Sequence, residues 1–212
     1  MNAPFERKAG LALILFTLLI LFTMILHPAG GNLFQLLRVA PMILVSHGLA
    51  VLSLPFGAIG FWGLTKRLGT ENFLSVSAFS MAVLALVGAL LAATTNGLIL
   101  PIFIFHYKDA SQDIVDSLKP ILTYSHSVNT AFDYIYTAAF CLAILGWSIA
   151  GLATKRLSRR LSVCGIVTAP IGLLLAFAGP SPSTLHGLYL FAAGLIGWTI
   201  FAGAALIQKS DA

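Results

Sequence analysis

Six long apolar runs constrain what this chain can fold into. A helix needs about 20 mostly apolar residues to cross the hydrocarbon core of a bilayer. Six runs reach that length, at about 9–27, 40–64, 73–105, 120–153, 161–179 and 186–207. Only 9% of the 212 residues are charged, whereas a soluble domain carries roughly 25%. The sequence therefore predicts an all-α integral membrane protein, with residues 1–212 folded as a single membrane domain and a six-transmembrane-helix bundle.

The basic residues predict the orientation of these spans. Lysine and arginine concentrate at the cytoplasmic ends of membrane helices. With a cytoplasmic N-terminus, nine basic residues fall inside and three, Arg38, Lys108 and Lys119, fall outside. The first run has no cleavage site of the signal-peptide type and is interpreted as a retained span. We expect a multi-pass protein of the bacterial inner membrane with both termini in the cytoplasm, in contact with lipid and not with nucleic acid.

A weak internal repeat accompanies the spans. The stretches that begin at Gly63 and Gly151 share the letters GL, TKRL and LSV. Alternate spans also carry a histidine in a similar place, at His47, His126 and His186. One interpretation is three parallel two-helix repeats, a design known in transporters. The other is that leucine, alanine and glycine dominate any membrane protein, so that short matches arise without common origin.

Polar residues gather at one depth of the predicted bundle. His47, Asp133 and His186 lie 19 to 23 residues before the nearest cytoplasmic lysine. At 1.5 Å per residue, each is about 30 Å from the inner face, close to the outer boundary of the hydrocarbon. His27 and Asn96 fall at a similar depth. An ionisable group inside a span usually faces the bundle interior or a water-filled cavity.

The segment YSHSVNTAFDYIY, residues 124–136, concentrates these side chains on one helix. His126, then Asn129 or Thr130, then Asp133 recur at helical spacing and share a face, which Tyr136 or Thr137 continues. We therefore predict a polar pocket open to the external, periplasmic side. Its core candidates, predicted as metal ligands, are His47, His126, Asp133 and His186. Its further lining candidates are His27, Asn96, Asn129, Thr130 and Tyr136.

Three uses of such a pocket follow from its chemistry. Imidazole and carboxylate ligands suit zinc, copper or iron. The first hypothesis is therefore metal binding with membrane-embedded metalloenzyme activity. The sequence contains neither of the metal-binding motifs H-E-x-x-H and C-x-x-C. The second is a small-molecule or proton-coupled transporter. The third is a b-type haem electron-transfer protein, with two histidines as axial ligands, or a non-catalytic assembly factor. Whether the chain is an enzyme, and its oligomeric state, stay open.

Glycine and tryptophan suggest how the helices pack. Gly57, Gly60 and Gly63 recur every three residues and favour a close approach between helices. All three tryptophans lie towards the predicted inner ends of spans, where an aromatic belt contacts the membrane interface. They are Trp62, Trp147 and Trp198.

Overall fold

The computed structural model describes residues 3–27, 33–178 and 185–208, with side chains for 4–27, 35–177 and 194–208. This part of the chain is helical and contains no strand. Its elements are α1 (Ala3–Leu26), α2 (Leu33–Leu68), α3 (Phe73–Ala92), a π-helical segment (Ala93–Ile99), α4 (Leu100–Phe105), α5 (Gln112–Ser117), α6 (Lys119–Thr154), α7 (Arg159–Ala178) and α8 (Leu185–Ile207).

Five helical stretches are long and apolar enough to cross a membrane. They are Pro4–Leu26, Gln35–Leu68, Phe73–Phe105, Gln112–Thr154 and Arg159–Phe177. The third stretch joins α3, the π-helical segment and α4 into one rod. Helix α8 is the sixth long helix, and its residues Gly194–Ile207 are apolar. The predicted all-helical fold is therefore confirmed, and the length and apolar composition of these helices are compatible with a multi-pass membrane protein.

The long helices form a ring in chain order. α1 packs on α2, α2 on α3, α3 on α6, α6 on α7, and α7 on α8, which packs back on α1. Because successive helices are joined as hairpins, the ring has two distinct ends. We name the end with the α2–α3 and α6–α7 turns the base, and the opposite end, where α1 ends and the α4–α6 connection lies, the mouth.

Small residues bring the helix backbones together, as predicted for α2. A methyl group at Gly57 would come within 2.9 Å of the Phe16 ring, and one at Gly60 within 2.7 Å of Leu13. Helix α3 has a buried face of the same kind, where a methyl group at Gly88 would lie 3.1 Å from the main chain of α6. The buried residues of that face are Ser75, Ala78, Ala82, Ala85, Gly88 and Ala92. Shape complementarity therefore carries much of the helix packing.

Aromatic side chains fill the bundle between the base and its middle. Trp147 and Trp198 are 0% and 1% exposed, and their nearly parallel rings lie 6.3 Å apart. The indole N–H of Trp147 donates to Thr65 Oγ1 at 3.1 Å, and that of Trp198 donates to the main-chain oxygen of Leu161 at 3.2 Å. The aromatic-belt prediction is therefore wrong for these two residues, because both indole N–H groups find partners inside the bundle. Trp62, at 37% exposed, keeps a surface position.

One buried arginine ties the helices together at the base. Arg67, in the last turn of α2, lies 3.8 Å from the carboxylate of Glu6 in the first turn of α1. Its guanidinium also donates to the main-chain oxygens of Arg156, at 3.3 Å, and of Ala205 and Gln208 near the end of α8. Cationic donors stabilise the exposed carbonyl end of a helix. Arg67 therefore holds α1, α2, α8 and the α6–α7 turn in one arrangement.

Candidate ligand-binding cavity

A cavity of about 370 Å³ opens between α1, α2, the α3–α4 rod, α6 and α8. It lies in the half of the bundle towards the mouth. Its polar wall residues come from five helical stretches that are far apart in sequence. They are Thr17, Thr23, His27, His47, Asn96, His126, Asn129, Asp133, Tyr136, Thr137 and Thr199. The ring of helices thus brings most of the predicted polar layer to one surface.

The π-helical segment shapes the side of the cavity that carries Asn96. Pro101 has no N–H to donate to the preceding turn, and just before it the N–H of Leu100 bonds to the oxygen of Thr95, five residues back. Gly97 in this segment is buried, and a methyl group there would overlap the imidazole ring of His47. The absence of a side chain at Gly97 therefore lets His47 of α2 sit directly against the rod, beside Asn96. Widened turns of this kind are frequent at functional sites.

His47 is held in one orientation by its own helix. Its Nδ1 lies 2.9 Å from the main-chain oxygen of Ile43 and 3.2 Å from Ser46 Oγ. A carbonyl oxygen can only accept a hydrogen bond, so Nδ1 carries a proton, and in the neutral ring Nε2 keeps its lone pair. The imidazole of His27 lies beside it, with ring centroids 5.1 Å apart and the planes inclined by 54°. The two histidines join the end of α1 to α2 at the mouth.

Helix α6 supplies the longest polar wall, as the 124–136 segment predicts. Its cavity-facing residues are His126, Asn129, Asp133, Tyr136 and Thr137. The side-chain amide of Asn129 donates to Asp133 Oδ2 at 2.8 Å. The helical spacing left open whether Asn129 or Thr130 lines the cavity. The structure places Asn129 in the cavity wall. Thr130 is outside the wall, and its hydroxyl donates to the main-chain oxygen of His126 at 2.9 Å.

A hydrogen bond connects the α6 wall to the rod. The hydroxyl of Ser125 donates to Asn96 Oδ1 at 2.9 Å. The sequence analysis did not single out Ser125, although it precedes His126 in the same polar segment. This bond orients the Asn96 amide, because the oxygen is engaged by Ser125 and the amide nitrogen is the remaining donor.

The predicted metal ligands do not all meet in the described residues. His47, His126 and Asp133 line the same cavity, but no group of three His, Cys, Asp or Glu residues in the described part of the chain could hold a metal ion. The prediction for His186 lies outside the described side chains, which resume at residue 194. The four-residue metal site thus stays a prediction.

Several wall residues were missed by the sequence analysis. Thr17, Thr23 and Met24 of α1 and Thr199 of α8 all line the cavity. Thr17 and Thr199 donate their hydroxyls to the main chain one turn earlier in their own helices, at 2.8 Å and 2.7 Å. Threonine is common in membrane helices for this reason. A threonine on an apolar helix therefore gives little indication of which face of that helix lines a cavity.

The cavity changes character along its depth. His27 and His126, near the mouth, are exposed, whereas Asn129 and Asp133 are half-buried further in. The floor is apolar and includes the buried rings of Phe16 and Phe140. Among the described wall residues, Asp133 is the only carboxylate, and none is a lysine or an arginine. The site thus combines an apolar floor with a hydrogen-bonding upper wall that carries a single acidic group.

Comparison with known proteins identifies no relative. No protein-family model, curated protein or solved structure matches the chain. The function is therefore argued from the cavity alone.

Proposed function

We propose that this chain is a membrane-embedded binding protein that holds a small amphiphilic molecule in its cavity. The ligand has an apolar body and a head that is cationic or rich in hydrogen-bond donors. The observation that carries this proposal is the cavity of about 370 Å³ with an apolar floor and a few converging polar groups. Sites for small organic molecules have this size and this division of apolar and polar surface.

The charges in the wall support a donor head group. Asp133 is half-buried, and the only hydrogen bond described for its carboxylate comes from the amide of Asn129. A carboxylate removed from bulk water is stabilised by a cation or by additional donors. The described wall has no lysine or arginine to fill that role. A ligand amine, or a comparable donor, would supply it, whereas an anionic head would be repelled.

The order of the cavity surfaces, with an apolar floor and a polar wall nearer the mouth, supports entry of the ligand from the mouth end. A molecule whose apolar part lies on Phe16 and Phe140 would place its head beside Asp133 and the exposed histidines. The orientation would be that of a lipid in the adjacent leaflet. At the other end, the stacked Trp147 and Trp198 and the Arg67 cluster fill the bundle. A continuous path is thus blocked in this conformation, which favours binding from one side over transport.

The charge distribution supports an orientation in the membrane with the base in the cytoplasm. Most basic residues lie at the base, as the positive-inside rule requires. The cavity then opens to the external side. The sequential ring of hairpins is also the arrangement that three parallel two-helix repeats would adopt.

The test uses two fluorescent probes with the same alkyl chain, one ending in an amine and one in a carboxylate. Each is titrated into full-length protein in detergent micelles. We expect the amine to bind roughly 10- to 100-fold more tightly, the range for a hydrogen bond that involves a charged group. Asp133→Asn should abolish this preference. The control Asp113→Asn, at an exposed aspartate of α5 outside the cavity wall, should retain it. Equal binding of both probes would contradict the proposal, as would a preference that Asp133→Asn leaves unchanged.

A further inference from the structure

We propose that Met24, His27 and His47 form a copper(I) site in the wall of the cavity. The three side chains belong to the end of α1 and the first half of α2, and all three line the cavity at the mouth end. This site differs from the metal site predicted from the sequence, because it uses a thioether and contains no carboxylate. It does not depend on the small-molecule ligand proposed above.

The spacing of the two imidazoles suits a shared metal ion. The ring centroids of His27 and His47 are 5.1 Å apart, and the planes are inclined by 54°. Two imidazoles bound to one ion through bonds of about 2.0 Å, at roughly the tetrahedral angle, hold their centroids roughly 5 Å apart. The observed rings therefore need little movement to share an ion.

Met24 is placed beside His27 by the final turn of α1. The main-chain N–H of His27 donates to the oxygen of Met24 at 3.3 Å, across three residues. In a tight turn of this kind, side chains three residues apart lie one above the other. The Met24 sulfur is thus carried to the same side of α1 as the His27 imidazole, and Met24 itself is only 8% exposed.

His47 already has the orientation of a metal ligand. Its Nδ1 proton is donated to the oxygen of Ile43, which leaves Nε2 as the nitrogen that can bind an ion. Such a bond from the second ring nitrogen is the usual partner of a metal-bound histidine. The hydroxyl of Thr23 donates to the main-chain oxygen of Ser46 at 3.1 Å. This contact fixes α1 against α2 within one residue of both Met24 and His47.

The donor set selects the metal. Thioether sulfur is a soft ligand that favours copper(I), and imidazole is compatible with copper. Zinc would need a further histidine, cysteine or carboxylate, and the described residues contain no group of three such side chains. Calcium and magnesium require oxygen ligands. Copper(I) is therefore the ion that this trio suits best.

The experiment is a copper(I) competition titration on full-length, tag-free protein in detergent, under reducing and anaerobic conditions, with a chromogenic copper(I) chelator. We expect about one copper ion per chain from a site of this kind. His47→Gln should weaken copper(I) affinity by more than about 100-fold, because even the loss of a ligand's hydrogen-bond partner costs 10- to 100-fold. Met24→Leu, which nearly conserves side-chain volume, should weaken it by more than about 10-fold and remove the copper–sulfur distance from the X-ray absorption spectrum.

His106 provides the matched control. Its Nδ1 lies 2.9 Å from the main-chain oxygen of Ile102, four residues back, as that of His47 does from Ile43. It is exposed near the same end of the bundle but outside the cavity wall. His106→Gln should leave copper(I) affinity unchanged. The proposal is overturned if the wild-type protein binds no copper(I), if Met24→Leu binds it as tightly as wild type, or if His106→Gln weakens it as much as His47→Gln does.

Discussion

Replacing Arg67 should destabilise the bundle more than replacing any exposed charge, because this side chain joins four parts of the base. Arg67 and Glu6 are each 10% exposed, with nitrogen and oxygen 3.8 Å apart. The same guanidinium donates to the main-chain oxygens of Arg156, Ala205 and Gln208. Arg67→Met removes the charge and all of these donors while keeping an apolar stem of similar length.

The expected magnitude follows from what the substitution leaves behind. Removing one member of a buried ion pair strands the other charge and costs about 3–5 kcal/mol. The double variant Glu6→Gln/Arg67→Met has no stranded charge. Its remaining cost is that of the main-chain oxygens left without a donor, about 1–3 kcal/mol. We therefore expect the double variant to be more stable than Arg67→Met by about 2 kcal/mol, which is a coupling of the size seen between contacting residues.

Thermal unfolding in detergent, followed by tryptophan fluorescence, measures this effect. Trp147 is a suitable reporter, because its indole bonds to Thr65, two residues before Arg67. At roughly 2–4 °C per kcal/mol for a chain of this length, Arg67→Met should lower the Tm by roughly 6–20 °C. The control Arg38→Met, at an exposed arginine of the same helix, should stay within about 0.5 kcal/mol of wild type. The reasoning is refuted if Arg67→Met has the same Tm as Arg38→Met, or if the double variant is no more stable than Arg67→Met.

Three further substitutions test the packing of the cavity and the base. Gly97→Ala should displace the imidazole of His47. The overpacking should lower the free energy of unfolding by about 1–3 kcal/mol, measured by thermal unfolding, and the displaced ligand should weaken copper(I) binding in the competition titration. Thr65→Val should strand the indole N–H of Trp147 in the core and cost about 1–3 kcal/mol, visible as a lower Tm and an altered fluorescence maximum. Gly60→Ala should also cost about 1–3 kcal/mol, because the new methyl group meets α1. Its control, Gly48→Ala, adds a methyl group with no described atom within 4 Å, and should be neutral or stabilising by about 0.5–1 kcal/mol in the same unfolding assay.

The positions of the helices and of the polar layer could be predicted from the sequence. An apolar run bounded by charge and proline specifies a membrane helix, and the observed α2, α6 and α8 contain the predicted spans with only their ends extended. Helical rise then converts sequence distance into depth, so that His47, Asn96 and Asp133 were expected in one layer. They do line one cavity. Both inferences need only the geometry of a single helix, which local sequence determines.

Neighbours across the bundle could not be predicted in the same way. Whether Asn129 or Thr130 faces the cavity depends on how α6 is rotated about its axis. That rotation is set by contacts with α3, including the close approach at Gly88. A similar interhelical contact buries Trp147, whose indole finds its acceptor on α2. Helical periodicity specifies which residues share a face, but not which helix that face meets.

The candidate metal site likewise combines features that the sequence determines with features that only helix packing determines. The sequence alone determined that histidines would gather near one end of the bundle. Only the tertiary structure decided that His27 and His47 are adjacent and that Gly97 leaves room for the ring of His47. These relations depend on helices packed within a few ångströms of one another. A ligand set is formed by distances across the bundle, whereas the sequence specifies distances only along each helix.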